Sequence, residues 1–159
     1  MERDYLIRCA KKEDAKGIYG VLLAAFEEFR HFYTPEGFND TVMSEEAVIE
    51  RMKEMKLYVA IDQTNTVIGT IGWQKVDDME GHIRGMAVIP DRQGKNSPAK
   101  ALLQIVEEDA RSEGCTLLTL DTTAILERAQ NFYIKCGFKK TGKTGDFFGS
   151  TIYEFAKEF

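Results

Sequence analysis

The chain has 159 residues, of which 43% are hydrophobic and 30% are charged, and its formal net charge is −5. These values suit one globular domain with a sizeable core and argue against a disordered chain. The acidic balance, without a long run of one sign, argues against a nucleic-acid-binding protein, but it leaves room for a local site for a small anion.

The cysteines and histidines do not have the spacing of a metal site. Cys9, Cys115 and Cys136 lie far apart, and there are only two histidines. We therefore expect three reduced cysteines and no metal. The N-terminal segment is charged from residue 2, and no apolar run approaches the ~18 residues that a membrane span needs. We expect a cytoplasmic protein with no membrane partner.

The first third of the chain predicts one strand and two helices. Residues 4–10 alternate as a strand does, and residues 11–33 place apolar side chains at helical spacing. The segment "TPEGFNDT" (34–41) predicts a loop. Ser44 then has the composition of an N-cap for a helix over residues 44–56.

The middle of the chain predicts three consecutive strands. Residues 57–62 and 67–76 form a hairpin that turns at Thr64-Asn65, and residues 82–90 form a strand that Pro90 ends. Alternation along this last strand puts Glu80, His82 and Arg84 on one face, and Met86 and Val88 continue that face.

The C-terminal part predicts two helices and three strands. One helix begins with Ser97 as N-cap and Pro98 at N1, and it ends at Gly114. A buried strand follows over 115–121, then a helix that stops at Gly137, then two strands over 139–159. The order β-α-α-β-β-β-α-β-α-β-β predicts one mixed α/β domain over residues 1–159.

The segment "IPDRQGKNSPAKALL" joins a strand to a helix, which is where unpaired backbone donors favour an anion. It is not a Walker loop, because Asn96 follows Gly94-Lys95 and Ile89 stands where the first glycine belongs. The dinucleotide fingerprint GxGxxG is also absent.

Two motifs together resemble the GNAT superfamily of acetyl-CoA-dependent N-acetyltransferases. "GMAVIPDRQGK" followed by "AKALL" is similar to that family's strand–loop–helix, and "AQNFYIKCGF" carries its A-x-x-x-Y-x-x-x-G-F signature at Ala129, Tyr133, Gly137 and Phe138. The loop departs from the pattern by about one inserted residue and two lost glycines. Asn96 stands at one glycine position, where its tolerance of a left-handed backbone makes it a substitute.

The resemblance implies a single GNAT-like domain whose mixed, mostly antiparallel sheet is flanked by helices. It implies that acyl-CoA lies where "GMAVIP" splays from the next parallel strand, and that Tyr133 protonates the leaving thiolate. Dimers are common in the family, so a homodimer is a possible assembly. The resemblance implies these acetyl-CoA-binding residues: Met86, Ala87, Val88, Gln93, Gly94, Lys95, Asn96, Ser97, Ala99, Lys100, Ala129, Phe132 and Lys135.

A general base must take a proton from the acceptor amine, and two candidates begin the third strand of the middle segment. Histidine side chains exchange protons near neutral pH, which favours His82, and Glu80 is the alternative through a water molecule. Asp121 is either a base or the N-cap of the last helix, and the cap is the favoured interpretation. Six aromatic residues are either an acceptor pocket or core: Phe29, Phe32, Tyr33, Trp73, Phe147 and Phe148.

The leading hypothesis is direct acetyl transfer from acetyl-CoA to a primary amine on a small molecule or a peptide, with no nucleic acid or membrane as partner. A non-catalytic acyl-CoA-binding or sensing module with the same fold is the alternative, and a structural protein with a decayed site is the third hypothesis. The amine is open between polyamine, aminoglycoside, amino acid, ribosomal N-terminus and lysine side chain. The acidic residues of "EEF" (Glu27–Phe29), with Glu45 and Glu46, are either an attraction for a cationic amine or solvated helix faces.

Overall fold

A computed structural model describes residues 3–159, so Met1 and Glu2 of the predicted domain lie outside the described residues. The strands form one sheet in the order β1-β2-β3-β4-β5-β7-β6, in which only the β4–β5 pair is parallel. The strands are β1 (Tyr5–Cys9), β2 (Lys56–Asp62), β3 (Val67–Lys75), β4 (Glu80–Val88), β5 (Leu117–Thr123), β6 (Lys139–Phe147) and β7 (Ser150–Glu158). The helices are α1 (Ala15–Phe26), α2 (Pro35–Thr41), α3 (Glu45–Arg51), α4 (Ala99–Ser112) and α5 (Glu127–Lys135). The predicted mixed, mostly antiparallel α/β fold is confirmed.

One predicted loop is a helix. Residues 34–41 contain α2, because the Thr34 hydroxyl accepts a hydrogen bond from the Gly37 amide at 3.1 Å and Pro35 occupies the first helical turn. Phe38 is buried and anchors the helix to the core. A helix of seven residues is too short for its periodicity to be recognised beside such turn-forming residues.

The two faces of the sheet bury separate cores. On the α1 face, α1 and α3 pack on the sheet through residues such as Ile18, Leu22 and Val48. On the α4 face, α4 and α5 cover side chains that include Leu102 and Trp73. The two cores fix the helices on either side of β4 and β5.

A β-bulge at Gly85 reverses the side-chain alternation of β4. Thr70 of β3 lies opposite Ala87 and Gly72 lies opposite Arg84, so Gly85 and Met86 together oppose Ile71. Gly85 has φ +68°, in the left-handed region that glycine adopts without strain. The prediction that Met86 and Val88 continue the face of Glu80, His82 and Arg84 is therefore wrong. Ala87 joins the α1-face core, whereas Met86 and Val88 pack on the α4 face.

The parallel pair β4–β5 opens beyond its first four residues. Its pairing runs from Glu80 opposite Leu117 to Ile83 opposite Leu120. Beyond that point β5 pairs only with β7, and β4 only with β3. The separation of β4 from β5 that the family resemblance implies at "GMAVIP" is present. Near the bulge it leaves an opening from one face of the sheet to the other.

Candidate functional site: the gap between β4 and β5

The Tyr133 side chain closes the gap on the α4 face. Its hydroxyl donates a hydrogen bond to the Met86 sulfur at 3.4 Å, and its ring packs edge-on against Phe138. Burial, and secondarily the neighbouring Cys136, raises the pKa of Tyr133 above the ordinary phenol value. The phenol therefore stays protonated at neutral pH and directs its proton at a sulfur atom in the gap.

The signature residues hold Tyr133 in this position. Helix α5 ends before Gly137, whose φ of +97° lets the chain leave the helix in a left-handed turn. The Phe138 amide then donates to the Tyr133 carbonyl at 3.0 Å, and the Phe138 ring is fully buried against it. Ala129 and Phe132 are partly buried in the same core. These contacts explain the spacing of the A-x-x-x-Y-x-x-x-G-F pattern.

The loop between β4 and α4 has the left-handed geometry that its sequence predicts. Gly94 has φ +91° and Asn96 has φ +61°. The Gln93 amide group bonds the Val88 carbonyl at 2.9 Å, and Arg128 of α5 donates to the Gln93 side chain at 3.0 Å. Gln93 thus ties the loop to both β4 and α5. The prediction that Asn96 adopts a glycine-like backbone is confirmed.

Some backbone amides of the same loop form hydrogen bonds within the loop itself. The Ser97 amide donates to the Gly94 carbonyl at 3.2 Å, and the Ala99 amide donates to the Ser97 hydroxyl at 3.1 Å. The second bond is an N-cap bond, although the assigned helix begins at Ala99 with Pro98 as its cap residue. Within residues 3–159, the amides of Gly94 and Lys95 form no internal hydrogen bond.

The two lysines predicted at the cofactor site share one cleft. Lys100, near the start of α4, and Lys135, at the end of α5, line it together with Cys136. The cleft is also lined by Lys157, which pairs with Glu107 at 2.7 Å. The cleft places two further positive charges at the outer side of the α4–α5 pair.

A chain of hydrogen bonds crosses from β4 to β5 on the α1 face. The Thr119 hydroxyl donates to a Glu80 carboxylate oxygen at 2.7 Å, and it lies 2.7 Å from His82 Nδ1. His82 Nε2 lies 3.6 Å from an Asp121 carboxylate oxygen. Both residues predicted as general bases, Glu80 and His82, therefore belong to one network at the mouth of the gap.

The network determines which nitrogen of His82 carries the proton. The Thr119 hydroxyl has a single hydrogen, which it donates to Glu80, so its contact with His82 requires a proton on Nδ1. In the neutral ring, Nε2 then has a free lone pair, and it faces Asp121 beside the gap. A proton arriving at Nε2 makes an imidazolium that the Asp121 carboxylate stabilises.

The favoured interpretation of Asp121 as an N-cap is wrong. Strand β5 continues to Thr123, and α5 begins at Glu127 with Leu126 at its cap. Asp121 instead pairs across the sheet with Glu154 and faces His82. The strand is longer than predicted because β7 pairs with it beyond the point where β4 departs.

The six aromatic residues separate into core and surface. Trp73 is fully buried on the α4 face, where its indole nitrogen donates to Asp109 at 2.9 Å, so it lines no acceptor pocket. Tyr33 lies on the other side, with its hydroxyl 2.8 Å from that of Thr123, and the Phe147 ring meets it edge-on. Phe29 packs on the α1-face core, whereas Phe32 and Phe148 are exposed.

Two residues of this region have no clear signal in the sequence. Thr119 is one polar side chain within "CTLLTLD", and only the pairing of His82 with Thr119 brings it to the network. Arg51 reaches the bulge from the end of α3, where a Cβ on Gly85 would lie 3.1 Å from its Nη1. Glycine within a strand was the available sign that the backbone departs from regular alternation.

The splayed parallel pair, the bulge and the strand–loop–helix define an acetyltransferase-type domain. The model of the acetyltransferase (GNAT) family matches residues 22–138, and the chain belongs to this family. Human N-acetyltransferase 8B is 35% identical over 82 residues, which are 49% of this chain and 36% of that protein. The chain thus covers about a third of the length of this relative.

Solved structures share the fold over the whole chain. The paiA N-acetyltransferase of Thermoplasma acidophilum in complex with coenzyme A has a TM-score of 0.83 at 19% identity, with all of both chains covered. A GNAT family acetyltransferase of Elizabethkingia anophelis with acetyl-CoA bound has a TM-score of 0.70 at 18% identity, covering 99% of this chain and 100% of that one. At such identities the likeness concerns the fold.

Two features are absent from residues 3–159. In this range no helix has the length and apolar character that crossing a membrane requires. The same residues contain no group of three or more histidine, cysteine, aspartate or glutamate side chains arranged to hold a metal ion.

Proposed function

We propose that the protein is an N-acetyltransferase that moves the acetyl group of acetyl-CoA to a primary amine by direct transfer in a ternary complex. The observation that carries this proposal is the gap itself. A protonated phenol lies on one face of it, Tyr133, and a histidine with a free nitrogen lies on the other, His82. Membership of the acetyltransferase family supports the same reaction.

The residues around the gap fit acetyl-CoA, which supplies the activated acetyl group when bound. The amides of Gly94 and Lys95, in the loop that precedes α4, are donors suited to its diphosphate. Lys100 and Lys135 are suited to its remaining negative charge. Met86, Ala87 and Val88 follow the bulge, where β4 has lost its β5 partner, so their backbone groups are suited to the pantetheine arm and the thioester carbonyl.

The proton transfers follow from the two sides of the gap. His82 Nε2 accepts a proton from the acceptor ammonium, and Asp121 stabilises the resulting imidazolium. The free amine forms the new C–N bond and loses its second proton to water as the C–S bond breaks. Tyr133 donates its proton to the departing sulfur. In the structure its hydroxyl already donates a hydrogen bond to a sulfur atom, that of Met86. Glu80 and Thr119 position His82 through the hydrogen bonds that fix its tautomer.

The experiment combines acetyl-CoA binding with turnover on a panel of amines. Calorimetry with acetyl-CoA and with CoA tests binding, and release of the CoA thiol tests transfer. We expect Tyr133→Phe to bind acetyl-CoA as the parent does but to lose on the order of 10²-fold or more in kcat. Tyr5→Phe, on the distant strand β1, is the matched control and should leave both quantities unchanged.

The alternative, a non-catalytic acyl-CoA-binding or sensing module, is favoured if acetyl-CoA binds but no amine on the panel yields CoA. Absence of binding at high concentration of acetyl-CoA and CoA would overturn both interpretations and leave a structural protein with this fold.

A further inference from the structure

Two arginines without ion-pair partners meet on the α1 face of the gap. Arg84 lies two residues beyond His82 on the same face of β4, next to the bulge. Arg51 reaches the same place from the end of α3, since its Nη1 is 3.1 Å from where a Cβ on Gly85 would lie. The gap is therefore flanked by positive charge on its β4 side.

The other arginines of the chain all have partners. Arg8, Arg30 and Arg92 form ion pairs with carboxylates. Arg3 and Arg111 lie over aromatic rings, and Arg128 donates to Gln93. Within residues 3–159, Arg51 and Arg84 alone among the arginines form neither an ion pair, nor a side-chain hydrogen bond, nor a ring contact.

The placement is electrostatically unfavourable in the free protein. Burial, and next the positive charge of Arg84, lowers the pKa of Arg51 to about 10, against the opposing effect of Asp40 and Glu54. The guanidinium keeps its charge at neutral pH. Asp40 and Glu54 influence it without coming within ion-pair distance. Two like charges near each other, with Arg51 partly buried and Arg84 exposed, become more favourable when an anion binds between them.

Groups suited to an amine lie beside the arginines, with His82 on β4 and Asp121 on β5. His82 Nε2 and the Asp121 carboxylate lie 3.6 Å apart on the same α1 face. Along a strand, Arg84 follows His82 at a Cα separation of about 7 Å. The arginines and the His82–Asp121 pair are therefore neighbours on one face, where one small molecule with an amine and an anionic group contacts both.

We propose that the acceptor is an amine that also carries a carboxylate, bound with the carboxylate between Arg51 and Arg84 and the amine towards His82 and Asp121. This inference rests on the acetyl transfer proposed above. It disfavours polyamines and aminoglycosides, because the two guanidinium groups repel a second positive charge. Glu27, one of the residues considered as an attraction for a cationic amine, is instead paired with Arg30.

The test uses pairs of acceptors that differ only in the carboxylate. Tyrosine with tyramine, lysine with cadaverine, and γ-aminobutyrate with propylamine are assayed by CoA thiol release, with spermidine as a polycation. For the pair that the protein acetylates, we expect kcat/KM to be at least 10-fold higher for the carboxylate member. Arg84→Gln and Arg51→Gln should each reduce that preference by about 10- to 100-fold, the range of hydrogen bonds to charged groups.

The controls separate a specific loss from general damage. Arg111→Gln, which removes an arginine lying over the Phe159 ring, should keep the preference. In both site variants, the affinity for acetyl-CoA and kcat/KM for the acceptor lacking a carboxylate should stay within about twofold of the parent, because neither quantity involves the carboxylate contact. An equal loss for both members of a pair would overturn the inference.

Failure of this inference is distinguishable from failure of the proposed transfer. Equal or better use of the amine without a carboxylate, or an unchanged preference in both variants, overturns the inference while leaving the transfer intact. If no amine is acetylated, calorimetry of the same pairs with the CoA-bound protein decides whether the two arginines bind the carboxylate. Binding of the carboxylate member alone, lost in the arginine variants, supports the site without turnover, and equal or absent binding of both members overturns it.

Discussion

Thr119 provides the sharpest test of the proposed role of His82 as general base. Its hydroxyl lies 2.7 Å from both Glu80 and His82 Nδ1, and the side chain is 4% exposed. Thr119→Val keeps the shape of the residue and removes both hydrogen bonds. Without these bonds, nothing holds the proton on Nδ1 of His82. The Asp121 carboxylate then favours the tautomer with the proton on Nε2, which cannot accept a proton from the amine.

The size of the effect follows from the bond that is lost. A net hydrogen-bond contribution of about 1–2 kcal/mol corresponds to a roughly 5- to 30-fold change in the fraction of rings with a free Nε2. We expect kcat/KM for the amine to fall by about that factor in Thr119→Val. The affinity for acetyl-CoA should not change, because the network lies on the face opposite Tyr133.

The assay is initial-rate CoA release over a range of pH, together with calorimetry for acetyl-CoA. Thr119→Ser restores the hydroxyl and should recover most of the lost activity. Thr70→Val is the matched control, because Thr70 is another buried threonine whose hydroxyl donates to the Tyr58 carbonyl at 3.0 Å, outside the network. Parental activity in Thr119→Val, or equal damage in Thr119→Ser, would refute the tautomer argument.

Two predictions concern stability. Asp109 accepts hydrogen bonds from Trp73, Tyr58 and Lys56, and these outweigh the effect of burial, so its pKa is lowered. Because the folded-state pKa lies below the unfolded one, this stabilisation is complete above about pH 4 and is lost as the pH falls through the folded value. Asp109→Asn should therefore cost about 2–3 kcal/mol in urea unfolding at pH 7, and the difference from the parent should shrink towards pH 3; a constant difference would contradict the linkage. Gly85→Ala should cost about 1–2 kcal/mol because alanine is strained at φ +68°, whereas Gly20→Ala, in the α1 helix with open space around the added methyl, should stabilise by about 0.5–1 kcal/mol. Thermal or urea unfolding that gives both glycine variants the same sign would be incompatible with this reasoning.

Local patterns predicted the parts of the site that lie on one continuous segment. The resemblance to the family signature indicated Tyr133, because Ala129, Tyr133, Gly137 and Phe138 lie on a single helix and its stop. The left-handed backbone at Asn96 was expected because asparagine stands at a glycine position of the family pattern and tolerates that conformation. In both cases the determining interactions lie within about ten residues of each other.

The features that were missed depend on contacts between distant segments. The register that brings Thr119 to His82 joins residues 37 positions apart. The reach of Arg51 to the bulge depends on how α3 packs, and the extension of β5 beyond Asp121 depends on its pairing with β7. Sequence periodicity carries no information on any of these pairings. The one local sign, a glycine within β4, marked the bulge but not its effect on the side chains that follow.

The bulge gives the gap two chemically different sides. With regular alternation along β4, Met86 would share the face of His82 and Arg84, and the sulfur that Tyr133 contacts would lie on the wrong side of the sheet. With the bulge at Gly85, Arg84 stays beside His82 while Met86 faces Tyr133. A proton acceptor and a proton donor thus lie on opposite faces of one opening. This arrangement suits the proposed direct transfer, because the amine has to lose a proton and the departing sulfur has to gain one.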